Sequence, residues 1–160
     1  MDSFTFEPIG IIRTPFTEPK GMPIQPSGAK GIPGTVKVAP EYSRGLKDVE
    51  GFSHLVLLYV FHLSQGYSLE VKPFLDDKLR GVFATRAPKR PNPIGFSIVR
   101  LVKVDANTLH IEDIDVVDGT PLLDIKPFVP DFDNRESEKI GWLSTKAVDA
   151  EMKKSDSRFT

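Results

Sequence analysis

The chain has 160 residues, 39% hydrophobic and 27% charged, with a formal net charge of -1, so one domain with a real core is expected and any contact with nucleic acid must rest on a local patch. The absence of cysteine excludes disulfides, thiolate zinc sites, iron–sulfur clusters and the radical chemistry they support, and a cysteine nucleophile. Met1-Asp2-Ser3-Phe4 lacks the features of a signal peptide and no run approaches the roughly 18 apolar residues of a membrane span, so a cytoplasmic location with no membrane partner is expected.

Taken in chain order, Phe4 to Arg13 predicts a strand interrupted at Pro8, where proline implies a bulge or an edge. Thr14 to Gly34 contains five prolines and four glycines, which reads as a long loop of a kind that commonly carries function. Thr35 to Val38 predicts a short strand and Pro40 to Leu46 a helical turn. The run from Ser53 to His62 is too apolar to face water on either side and predicts a central buried strand. Residues 64 to 80 read as a polar connection, and strands are expected at Val82 to Thr85, Ile98 to Asp105, Thr108 to Val117 and Leu122 to Phe128, with Asp118-Gly119 as a turn. Six or seven short strands predict a mainly β fold, a small single-sheet barrel with long loops. Residues 1 to 135 form that barrel domain in this reading. Residues 136 to 160 are an extension in which one or two helices are expected between Asn134 and Lys154, around Ile140, Trp142, Leu143, Ala147, Val148 and Met152, followed by a frayed charged tail.

The most informative segment is Arg86-Ala87-Pro88-Lys89-Arg90-Pro91-Asn92-Pro93-Ile94-Gly95-Phe96-Ser97. Pro88, Pro91 and Pro93 fix their own φ and push the preceding residues toward extended backbone, so the segment loses little freedom on binding a ligand. No folding requirement asks for this density of charge and restriction. Residues 80 to 100 hold Arg80, Arg86, Lys89, Arg90 and Arg100 and no acid, whereas residues 104 to 125 hold Asp105, Glu112, Asp113, Asp115, Asp118 and Asp124 and no Lys or Arg. A site with oppositely charged halves is expected. A guanidinium fork suits carboxylate or phosphate, so one of Arg86 and Arg90 is expected to hold a ligand carboxylate and the other a nucleic-acid phosphate, with the assignment open. The bland alternative is a surface ion pair, worth little. Asn92 either stabilises a turn or presents its amide to a base edge. Asp115 and Asp124 lie in strand-like runs, where an unpaired carboxylate is costly; Lys126, an arginine of the basic run or a ligand are the expected partners.

Other signals are weaker. Ser27 to Gly34 can wrap backbone N–H groups around an anion or simply turn. His54 and His62 share one face if their strand is regular, His54 as a core histidine and His62 at the mouth of a pocket. Two histidines without a third ligand give no reason to expect a metal, and the Rossmann, P-loop, zinc-protease and nucleophile-elbow motifs are missing.

Six ordered blocks carry a family resemblance: Ile9-Gly10-Ile11-Ile12-Arg13-Thr14-Pro15-Phe16, Phe52-Ser53-His54-Leu55, Val60-Phe61-His62, Gly81-Val82-Phe83-Ala84-Thr85-Arg86, Arg90-Pro91-Asn92-Pro93-Ile94-Gly95, and Asp118-Gly119-Thr120-Pro121-Leu122-Leu123-Asp124-Ile125-Lys126-Pro127. Together they resemble the TrmO family of tRNA methyltransferases, which includes VirR-like proteins. The resemblance implies a β-barrel homodimer with its ligand near the subunit interface, S-adenosylmethionine as methyl donor, and N6-methylation of threonylcarbamoyl-adenosine beside the anticodon of tRNA. It assigns the donor to Gln25, Pro26, Ser27, Gly28, His62, Leu63, Arg86, Phe96, Glu112, Asp113, Ile114 and Asp115.

Transfer from a sulfonium is an in-line displacement that depends on positioning. The acceptor nitrogen is a weak nucleophile, so a hydrogen-bond acceptor beside it helps; Asn92 and then Asp124 are the candidates for that catalytic role. Lys89, Arg90 and Lys126 are the candidates for phosphate or threonyl-carboxylate contact. Longer family members carry a second domain after the barrel, whereas 30 residues follow Pro130 here. Two other readings therefore stand beside the first: a methyltransferase with another acceptor, and a non-catalytic module that binds S-adenosylmethionine.

Overall fold

The computed structural model describes residues 1–24, 26–146 and 154–159. Its barrel strands are β1 (Gly10–Arg13), β2 (Pro33–Val38), β3 (His54–Val60), β6 (Ile94–Asp105), β7 (Thr108–Glu112) and β8 (Thr120–Pro127), and the short strands β4 (Glu70–Val71) and β5 (Arg80–Gly81) form a separate ribbon. All barrel pairings are antiparallel, in the order β1-β2-β7-β6-β3-β8, and β8 pairs back with β1. Closure removes every exposed edge. Alternation along the strands decides which side chains enter the barrel: in β3, Leu55, Leu57 and Tyr59 point inward and His54, Val56, Leu58 and Val60 are half-buried. The interior is aliphatic, with Ile12, Val36, Leu57, Val99, Leu109 and Leu122 fully buried, each contributing about 1.5–3 kcal/mol by leaving water.

The mainly β barrel matches the expectation, and several boundaries differ for local reasons. Pairing toward the N-terminus stops at Ile9, whose N–H reaches Leu122 O at 2.8 Å; Phe4 and Phe6 are exposed beyond Pro8, which cannot donate to a ladder. Where a strand is expected from Val82 to Thr85, Val82–Ala84 is a 3-10 turn closed by Thr85, which returns both its N–H (3.1 Å) and its Oγ1 (2.8 Å) to Val82 O. The ribbon of β4 and β5 forms in the segment read as a polar connection and extends one residue past it, to Gly81. β3 has no central place in a sheet, since a closed barrel has no edges; it ends at Val60, where the N–H of His62 turns back to Val60 O at 2.8 Å. β7 stops at Glu112, before Asp113 in the left-handed region (φ 67°), while β6 begins directly after Pro93.

Near the C-terminus, α1 (Pro130–Asp133) is one turn. Between residues 134 and 146 only a 3-10 turn forms, at Gly141–Thr145, in place of the expected helix; Ala147, Val148 and Met152 lie outside the described residues, as does Gln25. The tail expected to fray instead docks. Lys154 forms a bridge with Pro23, Ser155 exchanges backbone hydrogen bonds with Gly21 (2.9 Å) and Met22 (2.8 Å), and Ser155 Oγ donates to Pro19 O.

Candidate active site

One end of the barrel opens into a cavity of about 850 Å³, within the usual size for small-molecule sites. Most of its walls come from the end of β3 and the turn after it, the proline-framed run with the first residues of β6, the residues after β7, and the paired segments around Met22 and Ser155, with Phe74 and Thr120 completing them. Apolar walls come from Met22, Ile24, Phe61 and Phe96, while His62, Arg86, Lys89, Arg90, Asp115 and Asp156 bring charged or titratable groups. Gly95 makes room for this arrangement. A Cβ there would lie 2.4 Å from the Tyr59 ring and 2.7 Å from Phe61, two rings that meet edge to face at 5.6 Å.

The basic run is held by its own backbone. Arg90 Nη1 donates to the carbonyls of Thr85 (3.1 Å) and Ala87 (3.3 Å), and the N–H of Ala87 donates to Thr85 Oγ1 at 3.2 Å. Arg86 is thereby presented at the cavity, its guanidinium 4.8 Å from the centre of the Phe96 ring, a cation–π contact. Lys89 lines the same wall.

At the floor, Ser97 Oγ donates to Asp115 Oδ1 at 2.6 Å, and Tyr59 OH lies 2.9 Å from Ser97 Oγ. Because the serine proton is committed to the carboxylate, the phenol is the donor to serine. Burial pushes the Asp115 carboxyl up to about 6, against smaller opposing effects of the Ser97 hydrogen bond, a hydrogen bond from its own backbone N–H and the Arg86 charge. Burial, reinforced by the Asp115 charge, also pushes the Tyr59 phenol up, so it stays a neutral donor.

Of the expected donor-site residues, His62, Leu63, Arg86, Phe96 and Asp115 meet in the cavity, as do Lys89 and Arg90. Ser27 and Gly28, in the 3-10 turn Pro26–Ala29, are not among the lining residues, whereas Met22, Pro23 and Ile24 are. Glu112 pairs with Arg100 (3.3 Å), Asp113 Oδ1 accepts from Gly31 N–H (2.7 Å), and Ile114 is fully buried in the core. The acidic stretch therefore delivers one carboxylate, not an acidic half-site: Asp118 pairs with Arg13 (3.0 Å) and Asp124 with Lys126 (2.8 Å). That last pair, Asp124 and Lys126, stands outside the cavity lining. Asn92 is exposed and likewise outside the lining, its carbonyl accepting from Ile94 N–H at 2.7 Å. His54 does not share a face with His62; it sits beside Phe128 with Nδ1 2.9 Å from Ser53 Oγ.

The sequence reading does not single out Tyr59 or Ser97. Tyr59 lies inside an apolar run that reads as core, and the available signal was Ser97, a lone hydroxyl at an inward position of β6, where it requires a partner.

Comparisons with known proteins agree with this architecture. Residues 11–134 match the tRNA-methyltransferase O N-terminal domain family. A Pyrococcus abyssi protein described as a probable S-adenosyl-L-methionine-binding protein is 56% identical over 96% of this chain and 84% of its own. The Escherichia coli tRNA (adenine(37)-N6)-methyltransferase is 43% identical over 81% of this chain and 60% of its own length. A crystal structure of TrmO from Pseudomonas aeruginosa superposes with a TM-score of 0.74 at 38% identity, covering 88% of this chain and 63% of that one. The chain thus spans most of the archaeal relative and under two thirds of the bacterial ones. With a match over most of its length and relatives this similar, the chain belongs to the tRNA-methyltransferase O N-terminal domain family.

Proposed function

We propose that this protein is an S-adenosylmethionine-dependent methyltransferase that modifies N6 of an adenine in tRNA, with threonylcarbamoyl-adenosine beside the anticodon as its acceptor. The observation that carries the reading is the meeting of Asp115, Arg86 and His62 with apolar and aromatic walls in one cavity. That donor set fits the cofactor. Phe61 and Phe96 offer flat apolar surface to an adenine ring and Met22 an apolar thioether beside them, Arg86 offers a fork to a carboxylate, and Asp115 accepts from hydroxyl or ammonium groups. When bound, S-adenosylmethionine supplies an electrophilic methyl group. The residues of the chain bind, orient and exclude water, which is what an in-line displacement requires of them.

On the acceptor side, Lys89 and Arg90 stand at the cavity wall, suited to phosphate or to the threonyl carboxylate. Asn92, exposed and framed by two prolines outside the cavity lining, is kept as the acceptor for the N6 proton of a base held outside the cavity. Asp124 is not assigned this part, being paired with Lys126. The protein is expected to work as a homodimer. The test is incubation with labelled S-adenosylmethionine and tRNA from cells lacking the modification, followed by nucleoside analysis. Label in N6-methylated threonylcarbamoyl-adenosine is the expected result; donor binding without label in any tRNA nucleoside would sink the proposal. That outcome is the second reading, a donor-binding module or an enzyme with another acceptor, favoured by the description of the archaeal relative and by the short span over the bacterial enzymes.

A further inference from the structure

The cavity floor contains more than the donor-binding reading uses. Tyr59 and Ser97 are almost fully buried, at 4% and 1% exposure, yet both are polar and both spend their hydrogen bonds in one direction, toward Asp115. Tyr59 comes from β3 and Ser97 from β6, two paired strands in which Leu57 stands opposite Ser97 and Tyr59 opposite Gly95. The missing side chain at Gly95 is what lets the phenol ring lie across to Ser97. Asp115 lies beyond the end of β7, half-buried and lining the cavity. The two hydroxyls thus hold a carboxylate that no strand fixes. Ser97 occupies Oδ1 and the backbone N–H of Asp115 itself also bonds the carboxylate, which lines the cavity.

We propose that Tyr59 and Ser97 are positioning residues that orient Asp115 and govern its protonation, so that donor binding is linked to one proton on Asp115. The inference rests on the donor-binding reading given above. A hydrogen bond donated to a carboxylate favours its charged form, and a serine that itself accepts from a phenol is the stronger donor. Loss of the Ser97 hydroxyl must therefore raise the pH at which Asp115 ionises, and loss of the Tyr59 hydroxyl must raise it less. The other charged or titratable groups facing the cavity are His62 beyond β3, Arg86, Lys89 and Arg90 before β6, and Asp156 on the C-terminal segment, itself paired with Arg158 at 2.9 Å. Histidine as a residue type titrates in the same range, so Asp115→Asn is the control that separates Asp115 from His62.

The experiment has two arms on the intact chain. Carboxyl carbon NMR of the ligand-free protein follows Asp115 through pH. The expected midpoint is about 6 in the parent, higher in Ser97→Ala, slightly higher in Tyr59→Phe, and restored in Ser97→Thr. An unmoved midpoint in a folded Ser97→Ala protein overturns the proposal. Calorimetry with S-adenosylmethionine forms the second arm, with affinity expected to fall about tenfold per pH unit below the Asp115 midpoint, to follow that midpoint in each variant, and to lose this dependence in Asp115→Asn. Affinity that is flat in pH, or a pH dependence that survives Asp115→Asn, overturns it. Heat that is absent at every pH, with the NMR shifts as expected, instead overturns the donor-binding reading and removes the ligand from this inference.

Discussion

Asp115 illustrates what the proposed donor site costs the stability of the fold. Its carboxyl, ordinarily ionising near 3.8, is pushed up to about 6 by burial, so the native protein holds that proton more tightly than the unfolded chain does. Between these two values the native state carries more protons, and stability falls as pH rises. Above about 6 the whole cost is present. Two units correspond to at most about 3 kcal/mol, and the residue is only partly buried where it lines the cavity, so solvent screening reduces this to about 1–2 kcal/mol. Asp115→Asn keeps an oxygen for Ser97 and removes the charge. The variant is expected to melt a few degrees above the parent at pH 7.5 and at the same temperature near pH 4, as followed by circular dichroism. An equal or lower melting temperature at pH 7.5 contradicts the charge-burial account.

Among the elements, the one that most changes the reading of the site is the C-terminal segment. Asp76, buried to 3% side-chain exposure, accepts from Arg80 (2.6 Å) and Lys146 (2.8 Å), and these hydrogen bonds, Lys146 foremost, hold its carboxyl well below the usual carboxylate range. Arg158 donates to the carbonyls of Pro73 and Asp76, and Trp142 Nε1 to Ala84 O at 2.8 Å. Asp76 is thus a tie between the ribbon loop and residues whose continuation lines the cavity as Ser155, Asp156 and Phe159. Asp76→Ala leaves two cations without their carboxylate, and the segment after residue 134 is expected to be cut several times faster by trypsin at pH 7.5, with the barrel left intact by mass spectrometry. Unchanged cleavage would remove Asp76 from this role. Local pattern exposes the barrel strands, because the apolar run of β3 and the clustered β-branched residues of β6 and β7 are local properties of the chain. The tie is invisible to that reasoning: Asp76 and Lys146 are 70 residues apart, and nothing near either names the other. The same limit applies to the site. Arg86 and Lys89 stand out through their proline frame, while Ser97 acquires meaning only when β3 and β6 are paired.

For the whole molecule, the charge distribution decides how a near-neutral protein would meet the anionic partner proposed above. The formal net charge is -1, too small to steer RNA at long range. Most of the basic run is already engaged: Arg80 with Asp76, Arg100 with Glu112, and Arg90 with backbone carbonyls. Lys89 carries no ion pair among the described residues and stands at the cavity wall beside Arg86, which makes it the cation best able to reach a phosphate of a tRNA held over the cavity. Each phosphate contact contributes a slope of about -0.7 to -0.9 to the dependence of log affinity on log salt. Lys89→Ala is accordingly expected to weaken tRNA binding and reduce the magnitude of that slope by about 0.7 to 0.9, measured by fluorescence anisotropy between low and moderate salt, while calorimetry with S-adenosylmethionine stays within twofold of the parent. A slope equal to the parent's would move the phosphate contact to another residue, and a large loss of donor affinity would assign Lys89 to the cofactor instead of the RNA.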